Sequence, residues 1–146
     1  MDNIEVRWKQ RFQNYSRAFG LLRGALEDKN LDEYSDLEQE GIIQRFEYTF
    51  ELCWKLLKDY LEFSGVLLTE ATPRKVIKKC AAAGIFDEAG ITPETFIDMM
   101  LSRNALSHTY DFEQFKQIIV KIRVQYLSEF EKAYMYFVNK VLSDAI

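Results

Sequence analysis

Apolar residues recur every three or four positions along nearly the whole chain, and this pattern restricts what it can fold into. Trp8, Phe12, Tyr15, Phe19, Leu22 and Leu26 lay one stripe down a helix of about seven turns. Ile43, Phe46, Phe50, Trp54, Leu57 and Leu61 repeat the stripe over residues 37–63, and Phe96, Met99, Met100, Leu101 and Leu106 give a third helix its buried side. A last long helix, reaching about residue 143, carries Phe115, Ile118, Ile119, Ile122, Tyr126, Phe130, Ala133, Phe137 and Val141. No segment alternates with a period of two, so no strand is expected. The 146 residues, 48% of them hydrophobic, suffice for one core. The expectation is an all-α, antiparallel up-and-down four-helix bundle with an extra short helix, a single domain over residues 1–146.

The punctuation agrees with the periodicity. Ser35 or Asp36 caps the second helix, and Ser64 followed by Gly65 ends it. Thr72-Pro73 is a helix start, with threonine as cap and proline in the first turn. The short helix that follows runs to Gly84 and carries Arg74, Lys75, Lys78 and Lys79, two basic pairs at spacing four. They read either as a solvated face or as a patch that tracks phosphates. Thr92-Pro93-Glu94 repeats the start signal, and Asp111 caps the final helix.

Charge and cysteine usage narrow the setting. Residues 27–40 hold seven acids against Lys29 alone, a local balance of −6, so the rest of the chain carries +2 of the overall −4. The acidic block reads as a solvated connection, and the remainder is neutral enough to host a phosphate site. Cys53 and Cys80 sit in apolar helical patterns with no metal-ligand spacing around them, so they are expected as buried thiols in a reducing, cytoplasmic compartment. No apolar run is long enough for a membrane span, and no secretory leader is recognisable. No cofactor or metal is expected.

The functional candidates gather in residues 103–110. Arg103 is always charged, Asn104 donates and accepts hydrogen bonds, His108 is the only histidine in the chain, and Tyr110 offers a phenol. In a regular helix Asn104 and His108 share a face, whereas Arg103 and His108 project roughly 140° apart. Either the helix ends near His108, or a second copy of the same helix completes the site across a two-fold axis; both are expected. Upstream, Glu47, Glu51 and Lys55 form a polar ridge at spacing four. They make either an exposed ladder of ion pairs or a support in which Glu47 or Glu51 fixes the Arg103 guanidinium.

An arginine, four residues, a histidine and a tyrosine two beyond it resemble the signature of HEPN proteins. The branch that is most similar is that of the nucleotidyltransferase substrate-binding proteins, partners of minimal nucleotidyltransferases. Residues 45–55, the Thr72-Pro73-Arg74-Lys75-Val76-Ile77 stretch and Gly84-Ile85 look similar to that branch too, so the resemblance covers most of residues 40–112.

That resemblance implies metal-independent endoribonuclease activity in a two-component system of toxin–antitoxin type. Attack of a ribose 2′-hydroxyl on its phosphate needs a base, an acid and positive charge on the developing phosphorane. Histidine suits the first two jobs and arginine the third. With one histidine per chain, a homodimer pairing Arg103, Asn104 and His108 at its interface is expected, with Arg74, Lys75, Lys78, Lys79 and Glu51 on the substrate side. The resemblance further implies that the partner, encoded nearby and joining a heterotetramer, transfers adenylate to Tyr110 and so silences the nuclease. The alternative is a non-catalytic subunit that binds nucleotide or acceptor substrate for that partner. The chain itself has no Gly-Ser motif followed by paired acids, so it is not read as a nucleotidyltransferase.

Overall fold

The structure, a computed structural model, describes residues 3–27, 29–107 and 110–144. Every regular element among them is helical: α1 (Asn3–Glu27), a 3-10 turn (Leu31–Glu33), α2 (Asp36–Phe63), α3 (Pro73–Ala82), α4 (Ile85–Ala89), α5 (Pro93–Leu106), α6 (Phe112–Lys121), a π-helical segment (Ile122–Tyr126) and α7 (Leu127–Asp144). The all-α expectation is met.

Aromatic pairs fix how the long helices run. Trp8 near the start of α1 meets Tyr60 near the end of α2, ring centroids 5.1 Å apart at 86°, so these two helices are antiparallel. Phe46 stacks on Tyr126 at 5.5 Å while Tyr60 meets Phe137 at 5.3 Å, so α2 runs alongside α6 and α7 in the same direction. Phe96 on α5 meets Phe130 edge-on, and further along α5 Ser102 bonds Tyr126, which makes α5 antiparallel to that pair. Trp8, Tyr15, Phe46, Phe50, Phe96, Phe130 and Phe137 are fully buried. Each contributes about 1.5–3 kcal/mol by leaving water, several times what an exposed ion pair adds. Apolar burial therefore holds the bundle, and the surface charges are left for other work.

The chain ends its helices as the sequence indicates, with exceptions that matter. Ser35 caps α2 in a full capping box, accepting from the Glu38 amide while the Glu38 carboxylate accepts from the Ser35 amide. Thr72 caps α3, and Gly65 and Gly84 take the left-handed conformation just past the ends of α2 and α3. Thr92 makes no side-chain cap. Instead its amide donates to Oε2 of the buried Glu129 at 3.2 Å, so α7 anchors the start of α5.

Three expectations need correction. Residues 85–89 form a helix of their own, bounded by left-handed Gly84 and Gly90 and buried through Ile85 and Phe86. Leu101 is half exposed, because α5 turns Ser102 inward in its place, beside the expected Leu106. The last long helix is not uniform: it widens into the π segment, where Tyr126 points into the core and Arg123 reaches the other way. Arg123 Nη2 donates to the carbonyls of Leu26 and, at 2.7 Å, Lys29, closing the carboxy-terminal end of α1.

Candidate functional site

The site is built where the end of α5 comes down beside the middle of α2. Arg103, in the last turn of α5, places Nη2 at 3.2 Å from Glu51 Oε2 on α2, and both side chains are about one third exposed. Glu51 also meets Lys55 at 3.3 Å, one turn further along. Glu47, one turn earlier, has its carboxyl pushed above the usual carboxylate value by burial, an effect that the nearby Arg103 opposes. The Nε of Arg103 is itself buried and, among the described residues, has no hydrogen-bond partner. Of the two readings of the Glu47, Glu51 and Lys55 ridge, the ladder is present as the single Glu51–Lys55 rung, and the carboxylate paired with the Arg103 guanidinium is Glu51.

The helix stops just past that arginine. Ser107 closes α5, its amide and its hydroxyl both donating to the Asn104 carbonyl, at 3.3 and 2.7 Å. The chain therefore leaves the helix immediately before His108, as one of the two geometric expectations requires. Asn104 is exposed. His108 and Thr109 lie outside the described residues.

Tyr110 follows, 71% exposed and directly before α6. Its ring meets Phe112 and Phe115 edge-on, both at 5.6 Å. Its hydroxyl donates to Glu40 Oε1 on α2. That bond, then burial and the negative charge of Glu40 and Asp36, hold the phenol above its ordinary value. Asp111 caps α6 by accepting from the Glu113 amide at 3.0 Å, which fixes the direction in which the chain leaves the tyrosine.

Glu40 is the residue that the sequence reading missed. Its charge is counted within the acidic block read as a solvated connection, although the helix expected over residues 37–63 already contains it, and it lies in the first turns of α2. The available signal was spacing: positions seven and eleven residues beyond Glu40 return to within roughly 20° of its direction on a helix, roughly 10 and 16 Å further along the axis. Glu40, Glu47 and Glu51 are therefore one acidic stripe on α2, opposite Tyr110 at one end and Arg103 at the other.

The basic helix stands apart from this stripe. Arg74, Lys75, Lys78 and Lys79 are exposed, and Lys75 pairs with Glu70 at 2.7 Å. Lys75, Lys78 and Lys79 line a surface cavity of about 380 Å³ with Leu68, Thr69 and Glu70. Among the described residues no contact joins these lysines to Arg103 or Tyr110. The two thiols lie elsewhere again: Cys53 and Cys80 are buried and free, and burial pushes Cys80 up to about 12, so neither is a nucleophile at neutral pH.

An all-helical domain that sets an arginine, an exposed phenol and an acidic stripe at one helix junction, with no described helix long and apolar enough to cross a membrane, is the class defined by fold and site. The chain belongs to the family described as nucleotidyltransferase substrate binding protein like, whose profile matches residues 10–138. It is also similar to a crystal structure of a protein from Thermus thermophilus, at 30% identity and a TM-score of 0.66, over 82% of this chain and 94% of that one. No curated protein matches the chain.

Proposed function

We propose that this chain is the HEPN-type subunit of a two-component nucleotidyltransferase system: an endoribonuclease that needs no metal, silenced when a separately encoded partner adenylates Tyr110. The observation that carries the proposal is the Tyr110 hydroxyl, exposed to a partner and bonded to Glu40, seven residues beyond Arg103. An acceptor must be reachable and oriented, and this phenol is both. Membership of the substrate-binding family supports pairing with a nucleotidyltransferase.

In this reading Arg103 supplies the positive charge for the developing phosphorane, and His108 moves the proton. Two subunits of a homodimer bring both pairs together, because one imidazole cannot be acid and base at once. Adenylation adds a phosphodiester and a nucleoside at Tyr110, which place negative charge and bulk beside the RNA path. Lys75, Lys78, Lys79 and Arg74, apart from Arg103 and Tyr110, add a separate backbone-binding patch. The experiment is RNA cleavage in chelator before and after incubation with the partner and ATP. Cleavage that vanishes together with a mass gain on the Tyr110 peptide supports the proposal.

A second reading has its own observation. Glu51 occupies Arg103, and Glu47 adds negative charge beside it, a setting that repels an RNA phosphate. A non-catalytic subunit that presents nucleotide or acceptor to the partner would use Arg103 and Asn104 as ligand contacts only. Chain that leaves RNA intact yet gains thermal stability from nucleotide would favour it.

A further inference from the structure

The geometry points to Glu40 as the base that takes the phenolic proton when Tyr110 attacks a nucleoside triphosphate, so that the target subunit supplies a catalytic residue for its own modification. The inference rests on Tyr110 being the acceptor. Its ground is a selective arrangement of phenols. Tyr15 and Tyr34 give their hydroxyl protons to backbone carbonyls, of Phe130 and Ala25, each at 2.6 Å. Tyr126 bonds a carboxylate, that of Asp98 at 2.5 Å, but its side chain is fully buried. Tyr48 is 63% exposed and has no described hydrogen bond. Among the described residues, Tyr110 is the one exposed phenol whose hydroxyl donates to a carboxylate.

Position and electrostatics then divide the work. Phe112 and Phe115 hold the ring by its edges, so the oxygen is fixed relative to α2. The bond to Glu40 keeps the resting phenol protonated, as its raised value records. A free phenolate is therefore not the nucleophile, and proton transfer has to accompany attack. As the Tyr110 oxygen bonds to the α-phosphorus, the bond from that phosphorus to the oxygen bridging to the β-phosphate breaks. Pyrophosphate leaves with the electron pair, and the phenolic proton passes to Glu40. Asp36, one turn earlier on the same face, adds negative charge, so the nucleoside triphosphate must arrive with its own cations on the partner. Once esterified, the tyrosine oxygen has no proton to give, and the new phosphodiester is repelled by the carboxylate that had held the ring.

The test uses the full chain with the nucleotidyltransferase encoded beside it, ATP and magnesium, and reads the initial rate of adduct formation on the Tyr110 peptide by mass spectrometry. Glu40→Gln is expected to slow that rate by about 100-fold or more at unchanged KM for ATP, with partial recovery in Glu40→Asp. Adduct formation by Glu40→Gln at the wild-type rate overturns the role of Glu40 and leaves Tyr110 as acceptor. Wild-type chain that takes no adduct on Tyr110 overturns both. A measurement without the partner follows the Tyr110 ring carbon, assigned with Tyr110→Phe, through a pH titration in labelled protein. Replacing Glu40 by Gln should lower its midpoint, with Asp36 the remaining charge facing it. An unchanged midpoint contradicts the bond from which the role is argued.

Discussion

Arg103 at the end of α5 meets Glu51 in the middle of α2 at 3.2 Å, and this pair ties the candidate site to the bundle. Both side chains are partly exposed, so the pair contributes about 1 kcal/mol or less to stability. Its larger effect is on the availability of the guanidinium. Glu51→Gln should bind RNA several-fold more tightly than wild type, while Arg103→Ala should lose cleavage altogether. Filter binding and cleavage assays on the two variants check this; equal binding by Glu51→Gln and wild type would mean that Glu51 does not compete with phosphate.

Glu47 supplies a prediction about pH. Its folded-state value is raised, chiefly by burial, so the folded chain holds that proton more tightly than the unfolded one does. Stability from this group is therefore lost as pH rises through the ordinary carboxylate value toward the raised one, and the cost persists at neutral pH. Glu47→Gln should melt at or above the wild-type temperature at pH 7, with the gap closing below pH of about 4. Thermal melts across that range test the sign.

Glu129 joins stability to the site. It is buried on α7 and accepts from the Thr92 amide at 3.2 Å, at the end of α5 opposite Arg103. Glu129→Ala leaves that amide unpaired and should cost about 1–3 kcal/mol in denaturant unfolding. It should also reduce any activity of Arg103 by loosening α5. A loss under about 0.5 kcal/mol would show that Pro93 alone sets the helix start.

The lysines of α3 make a prediction that separates binding from chemistry. Replacing Lys78 and Lys79 by Ala should weaken RNA binding about equally across sequences and flatten its dependence on salt by roughly two contacts. The rate at saturating RNA should stay near wild type. A fall in that rate instead would place these lysines beside the reacting phosphate.

How much the sequence revealed depended on the range of each interaction. Ser35, Thr72, Gly65 and Gly84 act within three or four residues of where they stand, so helix ends were legible. The Arg103 and Glu51 pairing was legible as one of two options, because a ridge at spacing four on one helix faced the only arginine of the candidate stretch. Glu40 was not, since its charge was absorbed into a block of like charges and its partner is 70 residues away. Glu129 was hidden for the same reason: Thr92-Pro93 looks self-sufficient, and nothing local shows that a carboxylate 37 residues on takes over the cap. The π segment was missed because its apolar spacing of four also suits an ordinary helix.

RNA cleavage by purified wild-type chain and by His108→Ala, in excess chelator and without nucleotide, tests the central claim most directly. The account predicts that wild type degrades RNA and that His108→Ala, folded to the same melting temperature, leaves it intact. RNA left whole by wild type, or cut equally by both, would contradict it.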